Sequence, residues 1–265
     1  MQNTALLCAL KCGILHFYAH KSVLEHVEAA SNLKEGLVKD NTVDDRSIIL
    51  ITTLIFDLDL TLVDRTATVH KFLQEQYDRF SEQLTCSKEA YIEKVMLYQE
   101  NGYADKLVAY QRTFEELEQV VDAEVFLDDF KNVYGRDAVL FPNITTMLAD
   151  VATRYRLAIL SNGRSKAQNA KIDNCGIREF FEVIVISEEE GVAKPDVEIY
   201  QRCLSKLGAE AAECLFIGDN AHNDITVPKQ LGMATAWVQS PNYDAPEAAD
   251  IILESAADIV EHLNS

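Results

Sequence analysis

Two aspartates one residue apart, Asp57 and Asp59, close an apolar run that reads Leu-Ile-Phe-Asp-Leu-Asp-Leu-Thr-Leu-Val-Asp over residues 54–64. Carboxylates placed like this can attack an electrophile, move protons or hold a cation. Residues i and i+2 of a strand point the same way, so both acids are expected to face one small volume. Like charges that close repel unless a cation or a shifted pKa relieves them. Taken alone, the pair also fits a solvated strand end, because Asp is common in turns.

Three further groups follow in order. Ser161-Asn162-Gly163 ends the apolar run 157–160. Lys194-Pro195 precedes a helical stretch, and Pro suits the first turn of a helix, fixing the lysine just outside it. Gly218-Asp219-Asn220-Ala221-His222-Asn223-Asp224 follows the run 214–217. Each alone is ordinary turn chemistry. Together, each beside a strand end or a helix start, they describe a ligand site at the carboxyl edge of a parallel sheet.

The elements that must carry these groups alternate. Apolar runs at 48–56, 157–160, 183–186, 214–217, 234–238 and 251–253 read as strands. Helical stretches fall near 144–154, 165–174, 197–207, 225–231 and 256–263. This is the pattern of an α/β fold, a doubly wound parallel sheet with helices on both faces. One stretch breaks it. From 67 to 139 only helical periodicity is present (Val69, Phe72, Leu73, Gln76, Phe80; Tyr91, Val95, Tyr98; Phe114, Leu117, Val121), interrupted by Asn101-Gly102. A helical insert directly after the first strand predicts a second, small domain.

At 265 residues, with 48% apolar and 25% charged residues, the chain is long enough for a substantial core. A net charge of −19 argues against nucleic acid or an anionic membrane as partner, since both need clustered Lys and Arg. A protein this acidic needs local cations to handle phosphate. Six scattered cysteines (Cys8, Cys12, Cys86, Cys175, Cys203, Cys214) imply reduced thiols and a cytoplasmic setting. Cys8 and Cys12 lie one helical turn apart, but no second pair completes a metal site. The apolar stretch 4–19 is broken by Lys11 and His16 and falls short of the ~20 residues of a spanning helix. It also lacks the basic leader of a signal peptide. Residues 1–46 read as an extension of unassigned role. Ser22 and Glu25 match a capping box, Val23, Leu24, Val27, Ala30 and Leu33 give helical spacing, and 34–46 is a polar linker.

With all four groups in view, the sequence resembles the haloacid dehalogenase-like (HAD) superfamily of hydrolases, from about residue 53 to the carboxyl terminus. The resemblance implies a Rossmann-like catalytic core over 47–66 and 140–265, with 67–139 as the helical cap that subfamily I members carry. It implies a Mg²⁺-dependent phosphatase acting on a small phosphomonoester, a nucleoside monophosphate or a sugar phosphate. Asp57 would be the nucleophile that forms an aspartyl-phosphate. Asp59 would protonate the leaving alkoxide and later activate water, transfers worth roughly 10²–10⁴-fold. The Asp57 carboxylate, the Asp59 backbone carbonyl and the Asp219 carboxylate would hold Mg²⁺. Ser161, with Asn162 and backbone amides near Gly163, would hold phosphate oxygens. Lys194 would balance the phosphoryl charge, and Asp224 would orient Lys194 or a water on the metal.

Asp59 separates the possible activities. Dehalogenases of the superfamily lack an acid two residues after the nucleophile, because halide leaves without a proton, and Thr61 agrees with the phosphatase motif. A phosphomutase shares all four groups, and a non-catalytic binding protein on the same scaffold is the remaining alternative. Substrate choice is expected in the cap around 101–106, Tyr110 and Arg112, although Tyr103 and Tyr110 are more simply read as packing between helices. His222 reads as a surface loop residue, and Trp237 as core or cleft edge.

Overall fold

The computed structural model describes residues 50–102 and 104–264. The capping box at Ser22, the linker 34–46, Cys8, Cys12 and Tyr103 lie outside the described residues. Six strands, β1 (Thr53–Phe56), β2 (Arg156–Ser161), β3 (Val183–Ile186), β4 (Cys214–Gly218), β5 (Ala234–Val238) and β6 (Ile251–Leu253), pair in parallel in the order β3-β2-β1-β4-β5-β6. Between β1 and β2 lie α1 (Arg65–Phe80), α2 (Lys88–Tyr98), α3 (Lys106–Glu116), α4 (Ala123–Val133) and α5 (Ile144–Val151). Then come α6 (Ser165–Asn174), the short α7 (Ser187–Glu190), α8 (Val197–Leu207), a π-helical turn Ala221–Thr226, α9 (Val227–Gln230) and α10 (Ile259–Leu263).

Short strands buried on both faces need apolar residues at every position, and these have them. Leu54, Phe56, Leu157, Ile159, Leu215 and Ile217 pack on one side with Ile144, Leu148 and Val151 of α5 and Ile259 of α10. Ile55, Ala158, Leu160 and Phe216 pack on the other side with Ile199, Tyr200, Cys203 and Leu207 of α8. The fold is thus a Rossmann-like, doubly wound sheet. The chain runs outward from β1 to β3, then returns to place β4 on the opposite flank of β1. That reversal opens a crevice at the carboxyl ends of β1 and β4, where open sheets bind ligands.

The helices α1–α4 bury a separate, aromatic-rich cluster that includes Phe72, Tyr91, Tyr110, Phe114 and Phe126. Gln76, an amide with no exposed surface, is fully used. Gln76 Oε1 accepts from the Tyr91 and Tyr110 hydroxyls at 2.6 and 2.8 Å, and Nε2 donates to Phe126 O and Asp129 Oδ2, both at 2.9 Å. The two connections to the sheet run side by side: Asp64 N donates to Val139 O and Phe141 N to Leu62 O. Asp64 also caps α1 by accepting from Ala67 N at 2.8 Å.

Three local features depart from the sequence reading. The first strand begins at Thr53 rather than near 48; Ile51 already packs in the core, but Leu50 is 48% exposed. Residues 225–231 are not one helix, because the π-turn ends where Pro228, with no N–H, sits at the start of α9. Pro195 does not open a helix: α8 starts at Val197, capped by Asp196, whose carboxylate accepts from Glu198 N.

Candidate active site

The site is built outward from the end of β1. After Phe56 the chain folds into a tight loop in which Leu62 N and Val63 N both donate to Leu58 O, at 3.0 and 2.9 Å. Leu60 takes a left-handed backbone (φ 64°), a strained choice for a branched side chain. Leu58 and Leu62 are buried in the core and anchor the loop. Asp57 and Asp59 line a cavity of about 380 Å³. The buried Thr61 Oγ1 has no hydrogen-bond partner among the described residues.

Each remaining group comes from a neighbouring strand end. Ser161 closes β2 and is buried. Asn162 and Lys194 are bound to each other in both directions: Asn162 Nδ2 donates to Lys194 O at 2.8 Å, and Lys194 N donates to Asn162 Oδ1 at 2.9 Å. The Asn162 side chain is therefore occupied in placing the lysine, although the residue lines the cavity. The Gly163 N–H donates to Ser187 Oγ. Beyond β4, Asp219 and Asp224 enter from the loop and the π-turn. Gly218 makes this possible, since a Cβ there would lie 2.5 Å from Asp224 Cγ. Trp237, buried on β5, donates its indole N–H to Asp219 O at 2.7 Å. His222 is exposed.

Lys194 Nζ is 2.7 Å from Asp57 Oδ1 and 2.8 Å from Asp224 Oδ1, with its side chain only 2% exposed. Burial disfavours its charge, but Asp224 and Asp57 outweigh that and raise its pKa above the ordinary lysine value. One ammonium does not balance its surroundings. Carboxylate oxygens of Asp57, Asp219 and Asp224 all lie within 4.8 Å of one another. Burial, followed by the Asp224 charge, pushes Asp57 up to about 7 against the pull of Lys194. Burial and the charges of Asp57 and Asp224 push Asp219 up to about 8. Three acids around one lysine form an all-oxygen donor set with surplus negative charge, which fits a hard divalent cation.

Asp59 has a different environment. Its carboxylate turns from the acidic cluster toward α6, where Lys171 Nζ contacts both oxygens at 2.7 Å and Gln168 Nε2 donates to Oδ2 at 2.9 Å. Burial works to raise its pKa, but Lys171, Arg65 and these hydrogen bonds outweigh it and hold Asp59 below the ordinary carboxylate value. Gln168, Lys171 and the cavity-lining Arg65 are absent from the sequence reading. Their signal is weak but present: Gln168, Lys171 and Ile172 are spaced i, i+3, i+4 on one buried face of α6.

In the insert, Tyr110 is buried in the helical cluster, as the packing reading expects. Lys106 is not simply solvated. It donates to the Gly102 and Ala104 carbonyls, and burial and the nearby Arg65 charge lower it to about 8. Arg112 stacks over the Tyr98 ring at 4.2 Å.

Sheet topology and cavity together define a Rossmann-like α/β protein with a candidate site at the topological switch point. A profile of the family described as "Haloacid dehalogenase-like hydrolase" matches residues 54–238, and the chain belongs to that family. It is 28% identical over 151 residues to the pyrimidine 5′-nucleotidase YjjG of Escherichia coli, covering 56% of this chain and 67% of that one. It is 27% identical over 208 residues to the mouse N-acylneuraminate-9-phosphatase, covering 71% of this chain and 82% of that one. Among solved structures, the magnesium-bound HAD-hydrolase YfnB from Bacillus subtilis superposes with a TM-score of 0.67 at 20% identity, over 81% of this chain and 99% of that one. The two sequence relatives are named as a nucleotidase and a phosphatase, and the family makes this chain a hydrolase.

Proposed function

We propose that this protein is a Mg²⁺-dependent phosphatase that hydrolyses a small phosphomonoester through an aspartyl-phosphate on Asp57. The observation that carries the reading is the convergence of Asp57, Asp59, Ser161, Lys194, Asp219 and Asp224 on one cavity at the carboxyl edge of the sheet. Asp57 and Asp219 would hold the cation, with the Asp59 carbonyl as a further ligand, while Asp224, whose carboxylate lies within reach of the same position, orients Lys194. When bound, Mg²⁺ supplies charge neutralisation between the acidic cluster and the incoming phosphate.

The chain's own residues do the rest. Lys194 engages Asp57 Oδ1, which assigns the attack on phosphorus to Oδ2. As the Asp57–phosphorus bond forms, the ester oxygen departs and takes a proton from Asp59. Asp59, lowered by Lys171, rests as a carboxylate and must first take up that proton. A phosphomonoester bound as its monoanion carries one, since its second pKa is about 6. Asp59 then accepts a proton from water as the water attacks phosphorus, releasing phosphate and regenerating Asp57. Ser161 and Asn162 border the phosphate position, and Lys194 offsets charge on the transferring group.

The division into core (47–66 and 140–265) and cap (67–139) is supported by the separate aromatic cluster of α1–α4 and by the paired connections at 62–64 and 139–141. Arg65, Asn220, Asn223 and Asn242 give the cavity a polar lining, with Tyr243 as its aromatic residue. Leu60 adds apolar surface, so this mixed lining suits a small phosphomonoester, a sugar phosphate or a nucleoside monophosphate alike. Four free cysteines among the described residues suit a reducing, cytoplasmic setting. No described helix is long and apolar enough to cross a membrane.

The test is phosphate release from a panel of aryl, sugar and nucleoside phosphates with and without Mg²⁺, with Asp57→Asn as control. Metal-dependent release abolished in the variant is expected. Interconversion of sugar phosphates with little free phosphate would instead indicate a mutase.

A further inference from the structure

We infer that Lys171 and Gln168 are positioning residues for Asp59, fixing the carboxylate that moves protons while Asp57 attacks; this rests on the acid–base role proposed above. Lys171 is 2% exposed and spends its donors inside the site. Nζ contacts Asp59 Oδ1 and Oδ2, both at 2.7 Å, and Gln168 Oε1 at 2.8 Å. Gln168 is equally buried and bridges two working groups. Its Nε2 lies 2.9 Å from Asp59 Oδ2, 2.8 Å from Ser161 Oγ and 3.1 Å from Asn162 O. Asp59 therefore has a cation that is separate from Lys194, and it is tied to the phosphate-side serine through a single amide.

The pair is closed off by the insert. The Lys171 ammonium sits 4.9 Å from the centre of the Tyr134 ring, at the end of α4. The next residue, Gly135 (φ 98°), lies against α6 so closely that a Cβ there would come within 2.7 Å of Ala167 O and 3.3 Å of Lys171 Cγ. A lysine enclosed this way has little freedom, and charge-assisted bonds to both Asp59 oxygens remove the freedom of the carboxylate as well. Such an arrangement suits a group that must meet a leaving oxygen at hydrogen-bond distance.

A positioning role differs from a merely structural one in its dependence on the leaving group. An alkoxide needs a proton to leave and nitrophenolate hardly does. With Mg²⁺ present, kcat/KM is measured on 4-nitrophenyl phosphate and on glycerol phosphate for wild type, Lys171→Met, Gln168→Leu and Asp59→Asn. Lys171→Met is expected to lose about 10- to 100-fold more on the alkyl ester than on the aryl ester, as Asp59→Asn does. It is expected to add nothing further in an Asp59→Asn background. Should Lys171→Met fail to fold, Gln168→Leu carries the same comparison with a smaller bias. Equal losses on both esters, or full additivity with Asp59→Asn, would overturn the inference. Asp59→Asn without leaving-group bias would trace the failure to the acid–base reading instead.

Discussion

Asp57 and Asp59 are separated by one residue, yet they occupy opposite electrostatic settings. Asp57 shares one lysine with Asp224, lies beside Asp219, and is pushed up to about 7. Asp59 has Lys171 as a cation of its own, with Gln168 beside it, and is held below the ordinary carboxylate value. Charge is left unbalanced on the Asp57 side, where a cation and a phosphoryl group would sit. It is balanced on the Asp59 side, where the proposed mechanism has a proton come and go. In the proposed mechanism, the two like residues are given different tasks by the lysine that each one faces.

The contrast is broken most severely by Asp57→Asn, which replaces the attacking carboxylate by an uncharged, non-nucleophilic amide; kcat is expected to fall by at least about 10³-fold on every ester, measured as released phosphate. Lys194→Met comes next. It leaves three buried acids without their ammonium, and a loss of roughly 10²–10³-fold in kcat is expected, with a lower melting temperature. Asp59→Asn should cost roughly 10²–10⁴-fold on alkyl phosphates and clearly less on nitrophenyl phosphate.

A gentler probe is the pH dependence of stability without divalent metal. In the folded protein Asp57 and Asp219 titrate near 7 and 8, against an ordinary value of 3.8. Between these limits the folded state holds more protons than the unfolded chain, so stability is expected to fall as pH rises through about 7 to 8. Mg²⁺ should remove that penalty. The gap between melting temperatures with Mg²⁺ and with chelator is therefore expected to widen from pH 5 to pH 8. A gap that narrows would mean that the acidic cluster does not take up the cation. Gly135→Ala would set a Cβ 2.7 Å from Ala167 O at a left-handed backbone position and 3.3 Å from Lys171 Cγ, so a lower melting temperature is expected together with a loss of kcat/KM that is larger on glycerol phosphate than on 4-nitrophenyl phosphate.

Much of this was legible in the chain. Residues at the carboxyl ends of short apolar strands can be placed from sequence, because a parallel sheet buried on both faces leaves few other arrangements. Asp57, Ser161, Lys194, Asp219 and Asp224 converge for that reason. What could not be read was which lysine serves which acid. Spacing along β1 suggests one shared volume for Asp57 and Asp59, but the left-handed turn at Leu60 belongs to a loop that sends their carboxylates to different partners. Lys171 lies 112 residues beyond Asp59, on a helix whose low amphipathicity hides its inward face. The Asn162 side chain is engaged with the backbone of Lys194 while the residue lines the cavity, a second task that spacing alone does not announce.

The most direct test of the separate roles is intact-protein mass spectrometry of Asp59→Asn incubated with 4-nitrophenyl phosphate and Mg²⁺. This ester needs little help to leave, whereas hydrolysis of the phosphoenzyme needs a base. Accumulation of one phosphoryl group, located on the peptide that contains Asp57 and absent from an Asp57→Asn/Asp59→Asn double variant, is the predicted result. Steady turnover with no adduct, or a phosphoryl group that survives loss of Asp57, would contradict it.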